Sequence, residues 1–193
     1  MSKKDKMLGT LDNIIFREPP DNLDESWFGA IVGTFGGYRD FFTVAQSFRN
    51  AANCLIDTHH KNNYYEYEVL DPLLYLYRHT LELYMKALIL AHNEGCDVKK
   101  EYGHSLTKLF KQAVAVVQSI GYEMPERAKR IVDEMSEIDS DSFSFRYDGD
   151  WSKGEYWICY NSLRTDFNWF FEGLENAYFM VSKKQNNQTG AKR

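Results

Sequence analysis

Apolar residues recur every three or four positions along most of the chain between residues 38 and 182. This spacing places them on one face of a helix and is typical of amphipathic α-helices that pack on a core. Five stretches carry the pattern, at residues 38–60, 70–92, 105–120, 125–138 and 161–182. The sequence therefore predicts an all-α domain of about five helices.

Residues at the ends of these stretches support the predicted boundaries. Asp71 and Pro72 resemble a helix cap followed by a first-turn proline, and Ser105 can cap the third helix. Gly95 and Gly121 follow the second and third stripes, where glycine commonly ends a helix. The second stretch is apolar on most of its circumference, so we expect it to be the central helix of the bundle.

One segment departs from the helical pattern. Residues 143–147 alternate aromatic and polar side chains with a period of two, which is typical of extended chain, and we interpret residues 156–160 as a matching extended run. Gly149 and Gly154 lie between them. We interpret the segment as a small β-hairpin, or as two extended loop edges, placed before the last helix.

The two ends of the chain differ from its middle. Consecutive prolines at 19 and 20 favour extended backbone, and residues 1–25 are predicted to form a mostly irregular arm. Residues 184–193 lack any apolar side chain larger than alanine and are predicted to be a disordered tail. Residues 26–183 are then a single helical domain, because no linker or repeat interrupts them.

Composition narrows the functional classes. A formal charge of −5 over 193 residues argues against binding nucleic acid through bulk electrostatics, although a local basic groove is compatible with it. Cys54, Cys96 and Cys159 are odd in number and widely spaced, which favours reduced thiols in the cytoplasm. No apolar run reaches the length of a signal-peptide core or a membrane span, so we expect a soluble cytoplasmic protein that does not enter membranes.

A polar strip interrupts the apolar second helix. Arg78, Glu82 and Lys86 follow one another at four-residue intervals, with His79 beside them. One interpretation is a solvated face held by weak ion pairs between successive turns. The other is a buried or cleft-lining polar cluster, since nearly everything else on this helix must be covered. His104 is a candidate to meet the strip from the next helix.

The sequence offers little support for a metal or a cofactor. A cluster of carboxylates at Asp139, Asp141, Asp148 and Asp150 lacks the spacing of a calcium-binding loop, so we interpret these residues as solvated loop carboxylates. Phosphate-binding and dinucleotide-binding loops are not found. We therefore expect neither a metal site nor a bound cofactor.

Three elements in order resemble the HEPN-like domain family. Residues 82–88 look like its second-helix pattern Glu-Leu-x-x-Lys-Ala-Leu, and residues 104–109 are similar to its His-x-Leu-x-x-Leu element. Residues 139–147 resemble the element that leads from an aspartate to Arg-Tyr ahead of the final long helix. The resemblance implies an up-and-down helical bundle that commonly forms homodimers. The broad apolar stripe of the last helix, which leaves Trp169 and Phe179 outside its centre, fits either a dimer contact or a wider internal contact.

The resemblance also bears on activity. Many members of the family are metal-independent ribonucleases of toxin, phage-defence or RNA-processing systems, and their sites use an arginine followed four to six residues later by a histidine. Neither Arg146 nor Arg164 has a histidine at that spacing, and Arg78 and His79 are adjacent. Because this spacing is missing, we predict that the chain lacks the standard nuclease activity of the family.

Three functional hypotheses follow. The first is a non-catalytic HEPN-like binding module of a toxin–antitoxin or phage-defence setting, which recognises RNA, a nucleotide or a partner protein through a polar cleft. Its candidate ligand-binding residues are Arg78, Glu82, Lys86, His104, Arg146 and Tyr147. The second is a metal-independent ribonuclease with a rearranged site, in which Arg146 stabilises charge and His79 or His104 acts as general base. In the third, the cluster is purely structural and the function lies on a dimerisation surface.

Overall fold

A computed structural model of the chain describes residues 40–62, 66–139 and 157–190. Six helices and no strand occur within these ranges. They are α1 (Phe41–Asn62), α2 (Glu66–His92), α3 (Val98–Tyr102), α4 (Leu106–Ser119), α5 (Glu126–Ile138) and α6 (Tyr160–Gly190). The predicted all-α class is therefore confirmed.

Helix α2 is the central element, as its sequence predicts. It packs against α1, α4 and α6, and residues 80–89 are all buried. Leu73, Leu81 and Leu88 have no exposed surface. A helix that is covered on every side leaves no solvated face, so any charged residue on it must find its partners inside the protein.

The predicted boundaries of α4 and α5 are confirmed by their local geometry. Ser105 Oγ accepts a hydrogen bond from Lys108 N at 3.4 Å, which caps the start of α4. The chain leaves α4 through Gly121, whose φ of 86° lies in the left-handed region that favours glycine. Pro125 precedes the first residue of α5.

Three features of the helices differ from the predictions. Helix α2 begins at Glu66, so Pro72 lies inside the helix instead of in its first turn. At the seventh position of the helix, the proline removes one backbone hydrogen bond and crowds the preceding turn. The short helix α3 was not predicted; Asp97 caps it by accepting from Lys100 N at 3.2 Å, and Gly103, with φ of 57°, ends it.

The third difference concerns the end of the chain. Helix α6 continues to Gly190, past its predicted end and into the segment predicted to be a disordered tail. Lys184 Nζ donates to Ser119 O at 3.3 Å, and Gln185 Nε2 donates to His92 O at 2.8 Å. These polar contacts tie residues 184 and 185 of the helix to the ends of α4 and α2.

Some predictions fall outside the described residues. These are the N-terminal arm, the start of the domain at residue 26 and most of the predicted hairpin, whose residues 140–156 are not described. Residues 157–159 are non-helical and lead directly into α6. Among the described helices, none combines the length and the apolar character needed to cross a bilayer.

Candidate ligand-binding site

The polar strip of α2 is buried. Arg78, Glu82 and Lys86 have relative exposures of 0%, 1% and 4%. The interpretation as a solvated face is therefore wrong, and the alternative of an enclosed polar cluster is correct. The strip is covered because the chain around residue 104 and the end of α5 both pack over it.

Arg78 holds three parts of the chain together. Its Nη1 donates to Glu82 Oε2 at 3.1 Å, and its Nη2 donates to the carbonyl oxygen of His104 at 2.9 Å. Its Nε donates to the carbonyl oxygen of Asp139 at 3.2 Å and lies 3.0 Å from Asp139 Oδ2. All three guanidinium nitrogens are engaged inside the protein, so Arg78 positions its neighbours and has no surface of its own for a ligand.

Asp139 is a member of this cluster, and its interpretation as a solvated loop carboxylate is wrong. It directly follows α5, and its relative exposure is 1%. The end of α5 is directed onto α2, so the carboxylate meets Arg78 instead of water. Asp141, Asp148 and Asp150 lie outside the described residues.

Glu82 is the centre of the cluster. Its Oε1 accepts from Lys86 Nζ at 2.7 Å and lies 2.9 Å from His104 Nδ1. Burial by itself favours the neutral carboxyl, but the hydrogen bond and charge of Lys86, aided by His104 and Arg78, outweigh it and lower the pKa of Glu82. Glu82 is therefore an anion that joins three basic side chains.

His104 is the part of the cluster that reaches the surface. Its side chain is 63% exposed, although its Nδ1 faces the buried Glu82 carboxylate. A carboxylate at Nδ1 fixes the orientation of an imidazole and leaves Nε2 to face outward. This arrangement can bind an anion through a charged imidazole, or accept a proton through a neutral one.

An aromatic ring lies near two lysines beside the cluster. Lys86 Nζ and Lys99 Nζ each lie 6.0 Å from the centroid of the Phe41 ring. Lys99 is exposed on α3, and Phe41 is half-buried at the start of α1. We call Phe41, Lys99 and His104 the rim. Phe41 and Lys99 were not identified from the sequence, because neither belongs to a motif and only the fold brings them to Lys86.

No protein-family model, curated protein or solved structure matches this chain. Its function must therefore be inferred from the geometry of its own residues.

His79 faces a different neighbourhood from the rest of the strip. Its half-buried ring meets Phe48 edge-on, with centroids 4.6 Å apart, and stacks on Tyr75 at 5.7 Å. Burial lowers the pKa of His79, the nearby Glu82 carboxylate opposes the shift, and the charges of Lys86 and Arg78 reinforce it. The ring is packed among aromatic side chains, as expected for a residue of the α1–α2 interface.

The other two predicted site residues, Arg146 and Tyr147, lie outside the described residues. The structure therefore brings together Arg78, Glu82, Lys86 and His104 and adds Asp139 to them. Within the described ranges, no three His, Cys, Asp or Glu side chains are arranged to hold a metal ion.

A second polar network, which sequence reasoning missed, joins α1 to α6. Arg49 donates to Asn168 Oδ1 at 2.6 Å, to Glu172 Oε1 at 3.0 Å and to Glu175 Oε2 at 3.2 Å. The Tyr84 hydroxyl donates to Glu175 Oε1. The only available signal was the presence of polar residues within the apolar stripe of α6, and that signal does not reveal the partners. Arg49 and Glu175 are largely buried between the helices, with side-chain exposures of 17% and 18%, so we assign the network to helix packing.

The candidate site has a buried layer, formed by Arg78, Glu82, Lys86 and Asp139, and an exposed layer, the rim, and the two differ in their net charge. Arg78 and Lys86 are matched by Glu82 and Asp139, so the buried layer carries no net charge when His104 is neutral. The exposed charge then comes from Lys99, and from His104 when it is protonated. The arrangement can bind a phosphate-bearing group at the rim, while the buried layer keeps the rim in place.

Proposed function

We propose that this protein is a non-catalytic, HEPN-like binding module that recognises RNA or a nucleotide at the rim. One observation carries the proposal: the exposed Lys99 and the buried Lys86 each place Nζ 6.0 Å from the centroid of the half-buried Phe41 ring. An aromatic ring beside cations is a combination that binds single-stranded nucleic acids, because a base can stack on the ring while a phosphate meets the charge.

The buried cluster has a supporting role in this proposal. Glu82 holds Lys86 at 2.7 Å and faces His104 Nδ1 at 2.9 Å, which fixes the position of both basic groups. Arg78 in turn holds Glu82 and the backbone at His104. A site built on hydrogen-bonded buried charges loses little side-chain entropy when a ligand binds. The formal charge of −5 makes a local cationic site necessary, because the chain as a whole repels polyanions.

Fluorescence anisotropy of a labelled single-stranded RNA oligonucleotide, with a nucleotide as competitor, tests this proposal. We expect Lys99→Ala and Phe41→Leu each to weaken binding by about fivefold or more, since a stacked base contributes roughly 1–3 kcal/mol. Lys129→Ala is the matched control, because Lys129 is an exposed lysine on α5 paired with Asp133 at 2.9 Å. Equal affinities for all four proteins would exclude the rim as the site. Arg146→Ala belongs in the same series, and unchanged affinity would remove Arg146 from the site.

A second candidate is a metal-independent ribonuclease with a rearranged site. The contact between His104 Nδ1 and Glu82 Oε1 favours it, because a carboxylate-oriented imidazole with a free Nε2 is a general-base arrangement. RNA cleavage in the presence of a chelator distinguishes the two candidates. Cleavage that is lost in both His104→Ala and Arg146→Ala would favour the ribonuclease; intact RNA with folded protein would favour the binding module.

A structural role is the third candidate, and a homodimer belongs with it. Phe179 is 49% exposed on α6 although it is an aromatic residue, which leaves apolar surface for a second copy. Light scattering of the wild-type protein and of Phe179→Ser tests this part of the proposal. A wild-type dimer that dissociates in the variant supports it, and a monomeric wild-type protein removes it.

A further inference from the structure

A groove of about 440 Å³ lies between α6 and the part of the chain that joins α4 to α5. One wall is the loop after α4, with Ile120, Tyr122 and Met124, and the other is α6, with Trp169, Ala177 and Met180. Tyr122 and Met180 are 55% and 43% exposed although both are large. The groove is therefore apolar, open to solvent and outside the site described above.

Gly173 forms the floor of this groove. It lies in the middle of α6, where glycine is the least favourable residue apart from proline. Close packing does not require it, because a Cβ placed on Gly173 would meet no heavy atom within 4 Å. The missing side chain leaves open space in the groove, and a broken local rule with no packing reason is expected more often at functional sites than elsewhere.

The shape of the groove suits a helix. Its α6 wall runs from Trp169 to Met180, a rise of about 16 Å, or three helical turns. Gly173 and Ala177 are one turn apart on that wall and allow another backbone to approach closely. A short amphipathic helix that inserts its apolar residues into such a groove is a common mode of peptide recognition.

Charge indicates which kind of helix fits. The charged residues that line the groove within the described ranges are Glu123 and Glu172, and none is basic. Glu172 already accepts from Arg49 at 3.0 Å, whereas Glu123 is exposed and makes no ion pair within those ranges. A second cation beside the lining residues, Arg127, is bound to Asp166 and lies 4.7 Å over the Trp169 ring. The groove therefore complements an occupant that carries positive charge beside its apolar face.

We infer that this groove binds an amphipathic helix of a partner protein, whose apolar face packs over Gly173 and whose basic residues pair with Glu123 and Glu172.

Two synthetic peptides test the inference. Both are helical peptides of about 14 residues with leucines at i, i+3 and i+7, and they differ only in carrying lysine or glutamate at the flanking positions. Methyl NMR of the full-length protein provides a local readout. Met124 and Met180 line the groove, whereas Met85 and Met135 are buried elsewhere. We expect the lysine peptide to shift the methyl signals of Met124 and Met180 alone, and to bind about fivefold or more tightly than the glutamate peptide.

Two variants supply the controls. Gly173→Leu should fill the groove and reduce lysine-peptide binding more than tenfold; thermal unfolding monitored by circular dichroism checks that the variant is folded. Glu123→Lys leaves the groove open and should reverse the preference between the two peptides. The inference is overturned if neither peptide shifts the methyl signals of Met124 and Met180, or if neither substitution changes the affinity for the peptides. Methyl shifts that depend on protein concentration without peptide would assign the groove to a second copy of the chain and also overturn it.

Discussion

Arg78 and Glu82 face each other one turn apart on α2, with Nη1 and Oε2 3.1 Å apart and neither side chain exposed by more than 1%. A pair of this kind on a surface helix contributes little to stability. Inside the bundle, each charge instead depends on the other, because neither can be solvated by water.

Glu82→Ala should destabilise the protein strongly. The change leaves Arg78 and Lys86 buried with only Asp139 to balance them, and removing one partner of a buried pair costs about 3–5 kcal/mol. Urea unfolding measures the loss. The double variant Glu82→Leu with Lys86→Met removes one charge of each sign and leaves Arg78 paired with Asp139 at 3.0 Å, so it should be less destabilised than Glu82→Ala alone. The reverse order would mean that charge balance is not what the cluster provides.

Leu81→Ala tests the central position of α2. Leu81 has no exposed surface, and truncation of such a leucine costs about 2–5 kcal/mol. Leu163→Ala is the comparison, because Leu163 is only partly buried on α6 and should cost less. A loss below about 0.5 kcal/mol for Leu81→Ala, against the expected range for a core leucine, would show that α2 is not central.

His79 should make stability depend on pH below about 6.5. The folded state lowers the pKa of His79 from 6.5, so as the pH falls the unfolded chain takes up a proton before the folded protein does. The contribution of His79 to the free energy of unfolding is therefore fully present above pH 6.5 and declines as the pH falls below it. His79→Phe removes the titrating group and keeps an aromatic ring against Phe48 and Tyr75. Unfolding free energies measured from pH 7.5 to 5 should show a shallower decline in the variant, and identical curves would contradict the assignment.

Tyr77 should make the stability of the protein depend on pH above about 10. Burial raises the pKa of Tyr77 to about 12, with the charges of Arg164 and Arg49 opposing the shift. Between pH 10 and 12 the unfolded chain loses this proton while the folded protein retains it, so stability falls as the pH rises. Tyr77→Phe should cost about 0.5–1.5 kcal/mol at neutral pH, through the lost hydrogen bond to Asn53 Oδ1 at 2.9 Å, and should flatten the alkaline decline. Tyr122→Phe, at an exposed position, should change neither property.

The sequence predicted those parts of the fold that depend on local chemistry. The apolar stripes located the helices, and Ser105 and Gly121 marked the ends of α4 because capping and left-handed backbone are properties of single residues. The start of α2 was predicted wrongly from Pro72. Proline locally prefers the first turn of a helix, but here the packing of a longer helix outweighed that preference.

The candidate site was predictable only in part. Arg78, Glu82 and Lys86 were recognisable as a set because they lie on one helix at intervals of one turn. Asp139, Phe41 and Lys99 come from other parts of the chain, and their proximity results from packing that no local pattern encodes. His79 is adjacent to Arg78 in sequence yet faces α1, since neighbouring residues on a helix point in different directions.

The contacts of Arg78 also have a consequence for the order of folding. Its bonds to the carbonyl oxygens of His104 and Asp139 close loops of 26 and 61 residues, and neither can form before α4 and α5 dock on α2. Contacts of such long range carry a loop-closure cost that early folding does not recover, so we expect them to be absent from the transition state. Substitution of Arg78 should then accelerate unfolding in stopped-flow experiments and leave the refolding rate nearly unchanged. On this basis, Arg78 governs how long the native bundle persists and has little influence on how fast it forms.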